Sequence, residues 1–131
     1  MSQYVSKKEL VKEIVKCGKD PAYFIDNYCK ISHAQKGQIP FRTYDFQKEL
    51  LQKFNDHRFN IILKSRQMGI STVTAAYVSW MLLFHREKVV LVIATKFVTA
   101  ANLVKKVNTV TTTKDYLKEM NQTSSWLMDI T

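Results

Sequence analysis

The chain has 131 residues, enough for one modest domain and too few for two large ones. A hydrophobic content of 46% with only 3 glycines and 2 prolines argues against wholesale disorder and against collagen-like or linker-like character. The formal net charge of +9 points to polyanions (nucleic acid, nucleotide phosphates or an anionic membrane) without choosing among them, because a solvated basic face has the same composition.

The first residues, Met1 to Lys8, are polar and charged and lack the apolar core of a signal peptide. Ser6-Lys7-Lys8-Glu9 fits a capping box, and Leu10, Val11, Ile14 and Val15 then recur at helical spacing up to Gly18. Asp20-Pro21 restarts a helix with an acid at the cap and proline in the first turn, its apolar side formed by Ala22, Tyr23, Ile25 and Tyr28. Cys17 and Cys29 fall in these helical stretches without metal-ligand spacing, so they read as reduced thiols. Ile31 to Arg42, with Gly37 and Pro40, reads as a polar loop. It divides a helical lead-in, residues 1–36, from a second region, residues 37–131.

Helical period returns from Asp45, with Phe46, Leu50, Leu51 and Phe54 on one face. Phe59 to Leu63 is a short apolar run rich in β-formers and predicts a buried strand. Lys64 to Gly69 predicts a loop, Ser71 to Phe84 a helix, Val89 to Ala94 a second buried strand and Val98 to Val107 a further helix. Strand, loop, helix and strand in that order predict an α/β fold with a parallel sheet. A short helix over Lys114 to Met120 is also expected. Val73 to Phe84, the longest apolar-rich stretch, is too short to span a bilayer, so no membrane role is expected. Tyr77, Trp80 and Phe84 share one face of the predicted helix, for which core packing is a sufficient reason; His33, His57 and His85 are scattered and read as surface residues.

The segment that carries chemistry is Lys64-Ser65-Arg66-Gln67-Met68-Gly69-Ile70-Ser71-Thr72. A loop that ends in glycine and a hydroxyl residue at the start of a helix is P-loop architecture. Its backbone N–H groups converge on phosphate oxygens, the helix N-terminus adds partial positive charge, and the Ser71 hydroxyl is a ligand for Mg²⁺. The sequence departs from GxxxxGK[ST] twice: the first glycine is missing, and Ile70 stands where the phosphate lysine would be. Two other cations are within the loop, Lys64 at its head and Arg66, whose fork suits phosphate.

These residues resemble the deviant Walker A loop of the large terminase subunit of tailed bacteriophages, in which the loop often reads Arg-Gln-x-Gly and the lysine can move to its start. The resemblance covers residues 23–107 and is most specific at the loop. It gives Lys64 the role of phosphate lysine and Arg66 that of the loop arginine, both counted as catalytic, and gives residues 64–72 to nucleotide binding. It also gives Gln47, in Tyr44-Asp45-Phe46-Gln47, the role of adenine reader, for which an amide supplies both donor and acceptor. A surface glutamine is the competing explanation. The resemblance implies ATP and Mg²⁺ as cofactors, and double-stranded DNA, a portal protein and a small terminase subunit as partners. It further implies a homo-oligomeric ring in the full-length protein and a location in the host cytoplasm, on the procapsid. Lys96, Lys105 and Lys106 lie where the family approaches DNA, and a solvated helix face explains them equally well.

The family also needs a strand ending in Asp-Glu, to hold Mg²⁺ and activate water, and a nuclease domain. Neither is recognisable here; Asp129 is a single acid. The expectation is therefore an incomplete P-loop NTPase core behind a helical lead-in, holding ATP without turning it over alone. Two alternatives stand beside it: a superfamily 2 helicase-like fragment, against which Ile70 argues, and a small basic nucleic-acid-binding protein with a coincidental loop.

Overall fold

The computed structural model describes residues 6–65, 68–85 and 87–110. The predicted helix at Lys114 to Met120 and Asp129 lie outside the described residues. Five helices and one two-stranded sheet make up the described residues: α1 (Lys7–Lys19), α2 (Pro21–Tyr28), β1 (Lys30–His33), β2 (Gly37–Pro40), α3 (Asp45–Asp56), α4 (Ile70–Phe84) and α5 (Phe97–Val110).

α1 opens on the expected capping box. Ser6 Oγ accepts from the Glu9 N–H at 3.3 Å, and Glu9 Oε2 accepts from the Ser6 N–H at 3.1 Å. Ile14 and Cys17 form its buried face, while Val15, expected on that face, is 47% exposed. One residue joins α1 to α2. The Asp20 N–H closes the last turn of α1 on the Lys16 carbonyl, and Asp20 Oδ1 accepts from the Ala22 and Tyr23 N–H groups to cap α2. A second tie is Glu13 Oε1, which accepts from both Tyr23 Oη (2.5 Å) and Tyr28 Oη (2.7 Å).

Most of Ile31 to Arg42, expected to be a loop, belongs to a β-hairpin of β1 and β2. The strands are antiparallel, with Ile31 opposite Ile39 and His33 opposite Gly37. Inward-facing apolar content here is slight, which is why the alternation was not legible. The turn is held instead by His33 Nδ1, which accepts from the Gln35 and Lys36 N–H groups, and by Gly37 at φ 70°, in the left-handed region that glycine occupies without strain. The expected boundary between residues 36 and 37 falls at this turn, and one apolar cluster draws on both sides of it: Cys17, Phe24, Ile25, Leu51, Val73, Trp80 and Val110, among others.

The expected parallel α/β sheet is corrected. The only sheet among the described residues is the antiparallel β1–β2 pair. Phe59 to Leu63 and Val89 to Ala94 are not strands. Their side chains are largely in the open, with Ile61 and Leu63 fully exposed and Val89, Leu91 and Ile93 more than four-fifths exposed. The apolar runs are real, but a run becomes a buried strand only when neighbouring strands satisfy its backbone and helices cover its faces. Local sequence supplies neither. The helices lie close to expectation: α4 runs Ile70–Phe84 against an expected 71–84, and α5 runs Phe97–Val110 against 98–107. α4 is the central helix. Val73, Ala75, Ala76, Ser79 and Trp80 are buried, Trp80 among the aromatic rings of Tyr77 and Phe84 as its spacing suggested.

Candidate functional site

The chain reaches the site through a fixed lead. Asp26 Oδ1 on α2 accepts from both the N–H (2.8 Å) and the hydroxyl (2.7 Å) of Thr43, which holds the segment entering α3. Tyr44 caps α3 without a side-chain bond; the Gln47 amide does that work, its Oε1 accepting from the Tyr44 N–H at 3.0 Å. Gln47 is thereby pinned by its own helix, and it is only 3% exposed.

The other end of that amide reaches the loop. Gln47 Nε2 donates to the Met68 carbonyl at 3.3 Å, immediately before Gly69. Gly69 sits at φ 70°, ψ 16°, in the left-handed region, and starts α4 without any side-chain cap. A Cβ at Gly69 would lie 2.9 Å from Gln47 Nε2, so the position demands glycine on two counts: backbone conformation and space. Two sequence features that were singled out separately, the glutamine in the first turn of α3 and the glycine before α4, are thus in direct contact.

The remaining predicted residues divide. Lys64, Ser65 and Ser71 are exposed, Met68 is partly exposed and Thr72 is half-buried. Ile70 is buried, which gives the replacement of the usual lysine a local reason: this first-turn position of α4 faces the interior, where an ammonium would lose its hydration. Arg66 and Gln67 lie outside the described residues. Gln47 uses one acceptor site on the Tyr44 N–H and one N–H on the Met68 carbonyl; an amide has two of each, so one acceptor site and one N–H remain, on a side chain that is almost wholly buried.

The uncapped N-terminus of α4 presents first-turn N–H groups and partial positive charge, the physical requirement for holding phosphate oxygens. Ser71, exposed in that turn, carries a hydroxyl of the kind Mg²⁺ accepts as a ligand, and that ion keeps several waters and takes phosphate oxygens, so it asks little more of a chain. No group of three or more His, Cys, Asp or Glu suited to a metal occurs among the described residues.

One neighbouring feature was not given a role by the sequence. Tyr44 and Phe46 stack face to face beside Gln47, their centroids 5.8 Å apart and planes 9° from parallel, with Tyr44 68% exposed. The signal was two aromatics flanking a helix cap. A separate cleft of about 250 Å³ between the α1–α2 joint and α3 is lined by Lys19, Asp20, Lys48, Gln52 and others, and includes none of the predicted site residues. The two thiols are inert: both are buried, and burial pushes each up to about 12.

No protein-family model matches the chain. No helix among the described residues is long and apolar enough to cross a membrane.

Proposed function

We propose that the loop at residues 64–72 holds the phosphates of ATP, and that the chain is the nucleotide-holding part of a DNA-packaging motor of the large-terminase kind. The observation that carries this is the contact of Gln47 with the loop, its amide bonded to the Met68 carbonyl across a left-handed Gly69. Supporting it are the uncapped start of α4 and the exposed Lys64 and Ser71. Phosphate binding at a helix N-terminus asks for free N–H groups and a nearby cation, not for paired strands behind the loop.

In this reading Lys64 supplies the cation that Ile70 does not. Gln47 meets the base with its remaining donor and acceptor, and Ser71 holds Mg²⁺. Arg66 acts on charge that develops during phosphoryl transfer. Packaged duplex DNA, a portal, a small terminase subunit and a ring of copies belong to the assembled motor. ATP is held by this chain, and turnover awaits acids that it does not supply on its own.

Calorimetric titration with a non-hydrolysable ATP analogue and Mg²⁺ tests the assignment. A charge-assisted hydrogen bond is worth roughly 1.5–3 kcal/mol, so Lys64→Ala should weaken binding about ten- to a hundredfold. Arg66→Ala should change it less. Unchanged affinity in a folded Lys64→Ala protein would overturn the role of Lys64, and no binding by the unaltered chain would overturn the reading as a whole.

A further inference from the structure

Exposure alternates along residues 89–93. Val89, Leu91 and Ile93 stand in the open, and Val90 and Val92 between them are partly covered. That is the period of a strand, whose side chains point to opposite faces in turn. The open patch continues onto the start of α5 through Phe97 and Val98. Among the described residues, the main chain of residues 89–95 makes no hydrogen bond. Lys88 and Lys96 close the two ends; both are exposed, and neither is in an ion pair among the described residues. Glu87 is the only acidic residue between Asp56 and Asp115.

We propose that residues 88–96 are a docking edge for a partner protein, which adds a strand of alternating apolar residues closed at both ends by carboxylates. The inference goes beyond the nucleotide reading and uses none of the residues that hold ATP in it. An added strand supplies the main-chain donors and acceptors that residues 89–95 do not find in this chain, and its apolar side chains cover Val89, Leu91 and Ile93. The two lysines select the sign of its charge, since opposite charges across a strand pair attract and like charges repel. The same rule disfavours a second copy of this chain as the occupant. Paired antiparallel and in register, two copies set Lys88 against Lys96; paired parallel, they set each lysine against itself. An anionic bilayer also matches apolar side chains beside cations, but lipid satisfies no main-chain group, and unpaired backbone is costly there.

The test is fluorescence anisotropy of the full chain, without nucleotide, against two labelled peptides. In both, valine alternates with threonine over about six positions, the length of an ordinary strand. Glutamates close the ends of one peptide and lysines those of the other. The unaltered chain should bind the glutamate peptide about tenfold more tightly, because two charge pairs change sign between the peptides. Lys88→Glu with Lys96→Glu should invert that preference. Leu91→Asp, at an open position where the fold does not depend on the side chain, should abolish binding of the glutamate peptide. Circular dichroism checks that each variant is folded. Equal affinity for the two peptides, a preference that the double variant leaves unchanged, or full binding by the folded Leu91→Asp protein would overturn the proposal. So would the absence of peptide binding, and binding to phosphatidylserine vesicles in its place would assign the patch to a membrane. Either failure leaves the Lys64 titration untouched, because no nucleotide is present and the variants lie outside residues 64–72.

Discussion

The indole N–H of Trp80 donates to the backbone carbonyl of Cys17 at 2.8 Å, joining the middle of α4 to the last turn of α1 across 63 residues of sequence. The carbonyl is one of those that a helix C-terminus leaves without an internal partner, and the bond is buried. Trp80→Phe keeps most of the apolar contact and removes the donor. It should cost about 1–3 kcal/mol, the penalty for stranding a buried acceptor. Trp80→Ala should cost about 3–5 kcal/mol through the added cavity. Urea unfolding midpoints of the two variants separate the bond from the packing.

Glu13 sets a pH dependence. The hydroxyls of Tyr23 and Tyr28 hold its carboxyl below the ordinary carboxylate range. A group whose folded pKa is depressed stabilises above its unfolded pKa and loses that contribution as pH falls through the folded value. Stability should therefore decline as pH drops below about 4.5, and Glu13→Gln should be less stable near neutrality with a shallower acid limb. The tyrosines behave oppositely. The bond to Glu13, with burial, pushes Tyr23 up to about 12, and burial, with the same carboxylate, pushes Tyr28 higher still. Their contribution is complete below about pH 10 and is lost as pH rises through the folded values. Ultraviolet titration of tyrosinate should show Tyr23 and Tyr28 ionising late, together with Tyr77, which burial raises; Glu13→Gln should bring Tyr23 and Tyr28 forward and leave Tyr77 in place.

Gly69→Ala should be doubly unfavourable. The left-handed backbone costs an alanine about 1–2 kcal/mol, and the new methyl meets the Gln47 amide at 2.9 Å. Gln47→Ala relieves the second cost and leaves the first. In a double-mutant cycle by thermal melting, the two changes should therefore sum to less than their separate costs. Strict additivity would mean that the amide moves aside freely.

Cys17 and Cys29 should resist thiol reagents in the folded protein at neutral pH, because burial holds both as thiols. Modification by a maleimide should then follow unfolding, accelerating across the denaturant transition in parallel with circular dichroism.

The local parts of this architecture were legible. The capping box at Ser6 and Glu9 and the Asp20-Pro21 restart need only neighbours within one turn, and both helices start where those residues place them. The long-range parts were not. Val89 to Ala94 has the composition of a strand, but pairing is decided by segments elsewhere in space, and among the described residues none pairs with it. The hairpin failed to register because Ile31 and Ile39 are its only partly buried apolar pair. At the candidate site, Gln47 and Gly69 were each marked by residue type. Their contact was not, since nothing in either motif says that α3 and the start of α4 converge. The Glu13 tie to two tyrosines escaped for the same reason.

The exposed runs at Phe59 to Leu63 and Val89 to Ile93 have a consequence for how the molecule behaves in quantity. Exposed apolar side chains on backbone that pairs with no strand among the described residues are templates for intermolecular pairing. Against this acts the mutual repulsion of copies that each carry a formal net charge of +9. That repulsion is long-ranged at low ionic strength and contracts to about 8 Å at physiological salt. Colloidal stability is therefore set by a contest between a short-ranged attraction and a screenable repulsion, and salt shifts it toward association. The same ions that would strip DNA from a basic surface would draw these copies together.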